Sequence, residues 1–199
     1  NPAPVLADYS AAGVTGVSAS NIAEINAAIA ALTGADVDTQ AEIQAIVDGI
    51  NANNAALTEL KEDIAGNTNN DLVEASELNA IRGVSGAIQA NQAEYQAAFI
   101  ATTPSPFNDP VNPTPAEIQA VIDSVNTIVA NETAAFNELK NDIAGDNNND
   151  LIEASELNAI RGVSGALQEN QTAYQAAFSA TSPSPFNDSA NPTPAEIQA

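Results

Sequence analysis

A chain of 199 residues has room for one or two compact domains, but with three Tyr, five Phe and no Trp or Met its interior falls to Ala, Ile, Leu and Val, which suits packed helices and predicts an all-α fold. Twenty-six Asp and Glu stand against Lys61, Arg82, Lys140 and Arg161, and the formal net charge of −22 excludes nucleic acid and anionic membrane surfaces as partners while favouring divalent cations or a basic protein. With neither Cys nor His there is no thiol or imidazole catalysis, no disulfide and no zinc site of the Cys/His type, and no catalytic constellation remains, so the chain reads as a non-enzyme.

From the N-terminus, Gly13 and Gly16 mark a turn, and the run Asn21 to Ala28 reads as a short helix. Asn21 and Glu24 have the spacing of a capping box. Thr39 and Glu42 open a second, longer helix in the same way. Next comes an Asn-rich loop, then a helix predicted from Leu72 to Arg82, the turn Gly83-Val-Ser-Gly86, and a helix over Asn91 to Ala101 carrying Tyr95, Ala98 and Phe99 on one face. Asn91 and Glu94 again have capping-box spacing. The Pro-rich stretch Thr103 to Pro113 includes Phe107, which reads chiefly as a plug of the core and alternatively as a recognition element, as does Phe186.

Thr114, Pro115 and Glu117 then give the clearest helix start in the chain. Ile118, Val121, Ile122, Val125, Ile128, Val129, Phe136, Leu139 and Ile143 recur every three or four residues, predicting one helix over 115–144 about 45 Å long at 1.5 Å per residue. Asn131 and Glu132 interrupt its stripe and mark a place for a kink. Arg82 and Arg161 follow short helices and read as cations at helix C-termini. The acidic pairs on the helices, Glu62 and Asp63 among them, read as solvated.

Much of this occurs twice. Residues 64–120 and 143–199 align without a gap at a spacing of 79 and differ at eleven of 57 positions. An older copy lies upstream: Gly13, Gly16, Asn21, Glu24, Ala27 and Ala28 fall 70 residues before Gly83, Gly86, Asn91, Glu94, Ala97 and Ala98. The chain therefore divides into repeats over 1–66, 67–145 and 146–199, the last with only the first turn of its third helix. The expected architecture is a series of three-helix bundles chained through the long helix into an elongated rod, whose partners are neighbouring repeats or copies of itself. No apolar run approaches the roughly 20 residues of a membrane helix, Asn1 opens no signal peptide, and the chain reads as a piece excised from an array.

The stretches Ala12-Gly-Val-Thr-Gly-Val17, Asn21-Ile-Ala-Glu-Ile-Asn26 and Val37 to Val47 resemble the GA-like three-helix modules of bacterial surface proteins, and the Ala-rich repeats of very large secreted adhesins of marine Gram-negative bacteria. The resemblance covers residues 1–66 best and 72–144 more loosely. It implies an extracellular, cell-surface structural or adhesive repeat, a spacer, filament or surface-layer element. Its alternative implication is a module that recognises a protein or surface ligand through a helix face.

One stretch carries chemistry. Gly66-Asn-Thr-Asn-Asn-Asp-Leu-Val-Glu-Ala-Ser-Glu-Leu78 recurs as Gly145-Asp-Asn-Asn-Asn-Asp-Leu-Ile-Glu-Ala-Ser-Glu-Leu157 and resembles an EF-hand or dockerin-type calcium loop. Alternate positions followed by a Glu are how such loops deliver oxygen to Ca2+. The resemblance nominates Asp146, Asn148, Asp150, Ile152 and Glu156 in one copy and Asn67, Asn69, Asp71, Val73 and Glu77 in the other, Ile152 and Val73 through backbone carbonyls. Leu151 and Leu72 stand where such loops carry Gly, the spacing from Asp146 to Glu156 is one residue short, and Asn67 in place of Asp146 makes the upstream loop the weaker site. The same residues also read without a metal, with Asp71 and Asp150 as helix N-caps boxed by Glu74 and Glu153.

Overall fold

A computed structural model describes residues 2–66, 73–145, 152–180 and 184–199. These are helical, with no strand among them. In chain order the helices are α1 (Leu6–Ala11), α2 (Ile22–Ala30), α3 (Gln40–Ile64), α4 (Ala75–Leu78), α5 (Gln92–Phe99), α6 (Pro115–Ala144), α7 (Ala154–Leu157), α8 (Gln171–Phe178) and α9 (Pro194–Gln198). By compactness the chain forms two units, Asn1–Asp123 and Ser124–Ala199.

In the first unit α2 packs on α3, and Tyr9, Val14, Ile25, Val47 and Ile50 form a core flanked by Ile22, Ile29, Ile43 and Ile46. Farther along α3, α4 and α5 pack against it; Leu60, Leu78, Ile81, Tyr95, Phe99, Ile118 and Ile122 are all essentially removed from solvent. Each such side chain contributes about 1.5–3 kcal/mol by leaving water. In the second unit Ala135, Leu139, Ile152, Leu157, Ile160, Phe178 and Phe186 form the core, with Tyr174 and Ile197 partly buried against it.

The periodicity located the long helices, and the caps fixed where they start. The Thr114 N–H donates to Glu117 Oε2 at 2.8 Å, and the Glu117 N–H returns to Thr114 Oγ1 at 3.3 Å. The Thr39–Glu42 and Thr193–Glu196 pairs repeat the box. α6 runs from Pro115 to Ala144 through Asn131 and Glu132. Glu132 does not break it, because its carboxylate is used: Oε1 accepts the Arg161 N–H at 3.0 Å and Oε2 pairs with the Arg161 guanidinium at 3.4 Å. Phe107 and Phe186 are buried plugs, their rings 6.1 Å from Phe99 and 5.8 Å from Phe178.

Three local expectations fail. The helix predicted over 72–82 is confined to Ala75–Leu78, because the Asn79 side chain clasps the Ala87 backbone through both N–H and C=O and so fixes a turn there. Asn21 and Asn91 make no side-chain cap. The Asn21 amide is spent on tertiary contacts instead, donating to Gly16 O at 2.8 Å and to Asn51 Oδ1 at 2.7 Å. Arg82 and Arg161 do not act as helix C-terminal cations; each exposed guanidinium pairs with a part-buried carboxylate, Glu24 at 3.3 Å and Glu132 at 3.4 Å.

The glycine turns give the first prediction. Gly16 and Gly66 both have left-handed backbone, φ 79° and 77°. A Cβ on Gly16 would meet Asn51 Nδ2 at 2.8 Å, whereas one on Gly66 would meet nothing within 4 Å. Gly66→Ala is expected to cost only the backbone penalty of about 1–2 kcal/mol, and Gly16→Ala measurably more, because it also displaces the Asn51 amide. Chemical denaturation of the two variants checks the ranking; equal losses would remove the packing argument.

Candidate functional site

The nominated calcium loops begin where α3 and α6 end. Asn67, Asn69, Asp71, Asp146, Asn148 and Asp150 lie outside the described residues. Val73, Ile152, Glu77 and Glu156 are described, and their neighbours define the floor beside each loop.

That floor is a buried carboxylate. Asp63 sits seven residues after Ala56 and three after Leu60, on the apolar face of α3, and is 1 % exposed. Its Oδ2 accepts the Val73 N–H at 2.9 Å, while Gln96 on α5 donates Nε2 to the Val73 carbonyl at 2.9 Å. Both polar groups of the Val73 backbone are thus held by side chains from two helices. Asp142 on α6 repeats the arrangement, accepting the Ile152 N–H at 2.8 Å and Gln175 Nε2 at 2.7 Å; Gln171 and Gln175 reach the Ile152 carbonyl at 3.4 Å. The reading of Glu62 and Asp63 as a solvated pair therefore holds for exposed Glu62 and fails for Asp63. The signal was available: Asp63 and Asp142 fall in phase with the apolar stripe, and Gln96 and Gln175 sit beside the tyrosines Tyr95 and Tyr174 in both copies.

The two copies differ in one respect. Asp63 Oδ1 and Gln96 Oε1 are buried without a hydrogen-bond partner. Such oxygens only accept, so water, a donor or a cation would satisfy them. Calcium takes about six to eight oxygen ligands, of which this pair would supply two. Among the described residues no group of three or more Asp or Glu is placed to hold a metal.

Glu77 and Glu156 close helix caps. Each accepts the backbone N–H three residues earlier, Glu74 at 2.8 Å and Glu153 at 2.7 Å, which makes Glu74 and Glu153 the N-caps of α4 and α7. The cap expected at Asp71 and Asp150 thus falls three residues later. A carboxylate at this end also meets the positive pole of the helix.

A third recurrent element ties the glycine turn to the long helix. Gln44 Oε1 accepts the Thr15 N–H at 2.8 Å and its Nε2 donates to the Thr15 carbonyl at 3.1 Å. Gln119 does the same to Ser85 at 2.8 and 3.0 Å, and Gln198 Oε1 takes the Ser164 N–H at 2.6 Å. Glu117 Oε1 additionally accepts the Asn108 N–H at 2.9 Å and Nδ2 at 2.8 Å, stitching the Pro-rich loop to the start of α6; Asn187 and Glu196 repeat it.

These bonds depress two carboxyls. The Thr114 hydroxyl first, then the Asn108 and Thr114 N–H groups, lower Glu117 to about 2; the Asn187 and Thr193 N–H groups and the Thr193 hydroxyl lower Glu196 to about 2. Comparison with protein-family models, with curated proteins and with solved structures returns no match.

Two predictions follow from this geometry. In chelator, Asp142→Ala is expected to cost about 2–3 kcal/mol and Asp63→Ala about 1–2 kcal/mol, because Asp142 holds two donors and Asp63 one; denaturation midpoints in the reverse order would contradict the assignment. Carboxyls lowered on folding contribute stability that is complete above the ordinary value of 4.5 and is lost as pH falls toward about 2. The double variant Glu117→Gln/Glu196→Gln should therefore lose less stability than the parent across that window, as read from urea midpoints at stepped pH.

Proposed function

We propose that the chain is a stretch of a tandem array of acidic helical repeats, a structural or adhesive element of an extracellular cell-surface protein, with Ca2+ bound at the Asn/Asp loops. The observation that carries this reading is the duplication itself: residues 63–120 and 142–199 keep the buried acid, the Gln that faces it, the capping boxes and the Phe plugs while changing eleven positions. What is retained is the machinery that joins one helix to the next. The likeness of residues 1–66 to GA-like surface modules supports the same setting.

Two further features support it, the shared long helix and the unpartnered oxygens. α6 begins beside the Pro-rich loop and supplies Ala135 and Leu139 to the core of the second unit, so a single helix serves consecutive repeats. No helix among the described residues is long and apolar enough to cross a membrane. The buried, unpartnered oxygens of Asp63 and Gln96 lie beside the Val73 backbone at the end of the Asn-rich loop, where an oxygen-seeking cation would rigidify the joint. In this reading the array is an elongated rod that spaces whatever it carries away from the surface.

Solution scattering on chains of two, three and four repeats, in millimolar calcium and in chelator, tests both parts. A spacer gains a constant increment of maximum dimension per 79-residue repeat. Calcium held at the joints raises the melting temperature, since a ligand selective for the folded state stabilises it by mass action. A maximum dimension that does not grow with repeat number would sink the spacer reading, and an unchanged melting temperature would leave the loops as caps and turns.

A further inference from the structure

Asp63 has been taken almost wholly out of water, and a single donor among the described residues meets it. It is 1 % exposed, accepts the Val73 N–H on Oδ2, and has Oδ1 buried with no partner. Gln96 on α5 converges on the same residue from another helix: 7 % exposed, it donates Nε2 to the Val73 carbonyl and keeps Oε1 buried and unpartnered. Downstream, Asp142 has two donors, the Ile152 N–H and the Gln175 amide, and Gln175 is only half-buried. The copy whose loop has Asn67 in place of Asp146 is thus the copy in which two buried oxygens are left over.

Neither oxygen carries a hydrogen, so neither can satisfy the other. A water molecule would supply donors and leave the charge of the acid uncompensated under the apolar face of α3. Burying that charge costs far more than burying an amide unless it is paired or coordinates a metal. A cation answers the carboxylate and the amide oxygen together, and oxygen donors of these two kinds are ones that calcium takes.

We propose that Asp63 Oδ1 and Gln96 Oε1 are ligands of the upstream calcium ion, an acid and an amide that α3 and α5 supply from outside the nominated loop positions. The inference rests on the reading that the Asn/Asp loops hold Ca2+, and it changes the ranking of the two loops: the upstream site gains from α3 the carboxylate that Asn67 withholds. The same two side chains hold both polar groups of the Val73 backbone. An ion on their remaining oxygens therefore ties α3, Val73 and α5 to one another, and calcium acts on the packing of the helices as well as on the loop.

The test is a pair of substitutions in the full chain, each measured with CaCl2 and with chelator. Gln96→Glu places a second acid beside Asp63; like charge lowers its urea midpoint in chelator, and an ion bound between the two recovers it, so the rise in melting temperature on adding calcium is expected to be larger than in the parent. Asp63→Asn keeps an oxygen for the Val73 N–H but removes the charge, and calorimetric titration is expected to show one calcium site weakened about tenfold. A Gln96→Glu chain that gains no more from calcium than the parent would overturn the proposal, as would an Asp63→Asn chain that titrates like the parent; either result leaves calcium at the loops. If Asp63→Asn does not fold, Gln96→Glu decides alone. A parent chain that takes up no calcium removes the loop reading and this inference together.

Discussion

The fold depends on a constraint imposed by the short stretch that opens each long helix. In Ala-Glu-Ile-Gln the three residues after Ala point in three directions, and each is spent differently. Glu117 turns back to cap the helix and hold the Pro-rich loop, Ile118 enters the core, and Gln119 clasps the backbone of the glycine turn. Because successive helical residues lie about 100° apart, one turn can address the cap, the core and the neighbouring turn together. Glu196, Ile197 and Gln198 repeat the pattern with Ile197 partly buried, and Glu42, Ile43 and Gln44 cap, pack and clasp likewise in the most divergent part of the chain, without a Pro-rich loop to hold. The start of the long helix is thus held at three points within one turn.

The composition explains why so many of these fixings are made by carboxylates. With four cations for 26 acids, ion pairing cannot neutralise the surface, and the guanidiniums of Arg82 and Arg161 each reach one carboxylate while staying largely exposed themselves. The acids instead accept backbone N–H groups at helix starts, as Asp8, Asp36, Glu42, Glu77, Glu117, Glu156 and Glu196 do. There they meet unpaired donors and the positive end of the helix at once. Such a protein gains order from its negative charge locally while bearing the repulsion globally, which is a reason for cations in the medium to matter to it.

The long helices were legible because two independent signals agreed on them, an apolar period near 3.6 and a Thr-x-x-Glu box. Where only one signal was present the reading failed. Asn21 and Asn91 had cap spacing, but an Asn amide both donates and accepts, and Asn21 spends those bonds on Ser18, Gly16 and Asn51. The run from Leu72 to Arg82 had helical composition, yet Asn79 can clasp the backbone eight residues on, a long-range choice no local propensity reveals. Asp63 was misread because an acid is assigned to water by default; its phase relative to Ala56 and Leu60 was the better guide. Of the nominated loop residues, only those at the loop's end are described, and there Glu77 and Glu156 close capping boxes on Glu74 and Glu153, the N-cap role that spacing alone placed on Asp71 and Asp150.

The buried acid connects these strands of argument. A carboxylate placed in an apolar stripe is costly unless its oxygens are used. Asp142 takes both of its donors, the Ile152 N–H and the Gln175 amide, on Oδ2, and Asp63 takes the Val73 N–H on Oδ2 while its Oδ1 and the Gln96 Oε1 are left without a partner. Each acid thus fixes the backbone at the far end of the Asn-rich stretch that follows its helix, and the Gln of the facing helix holds the carbonyl of the same residue.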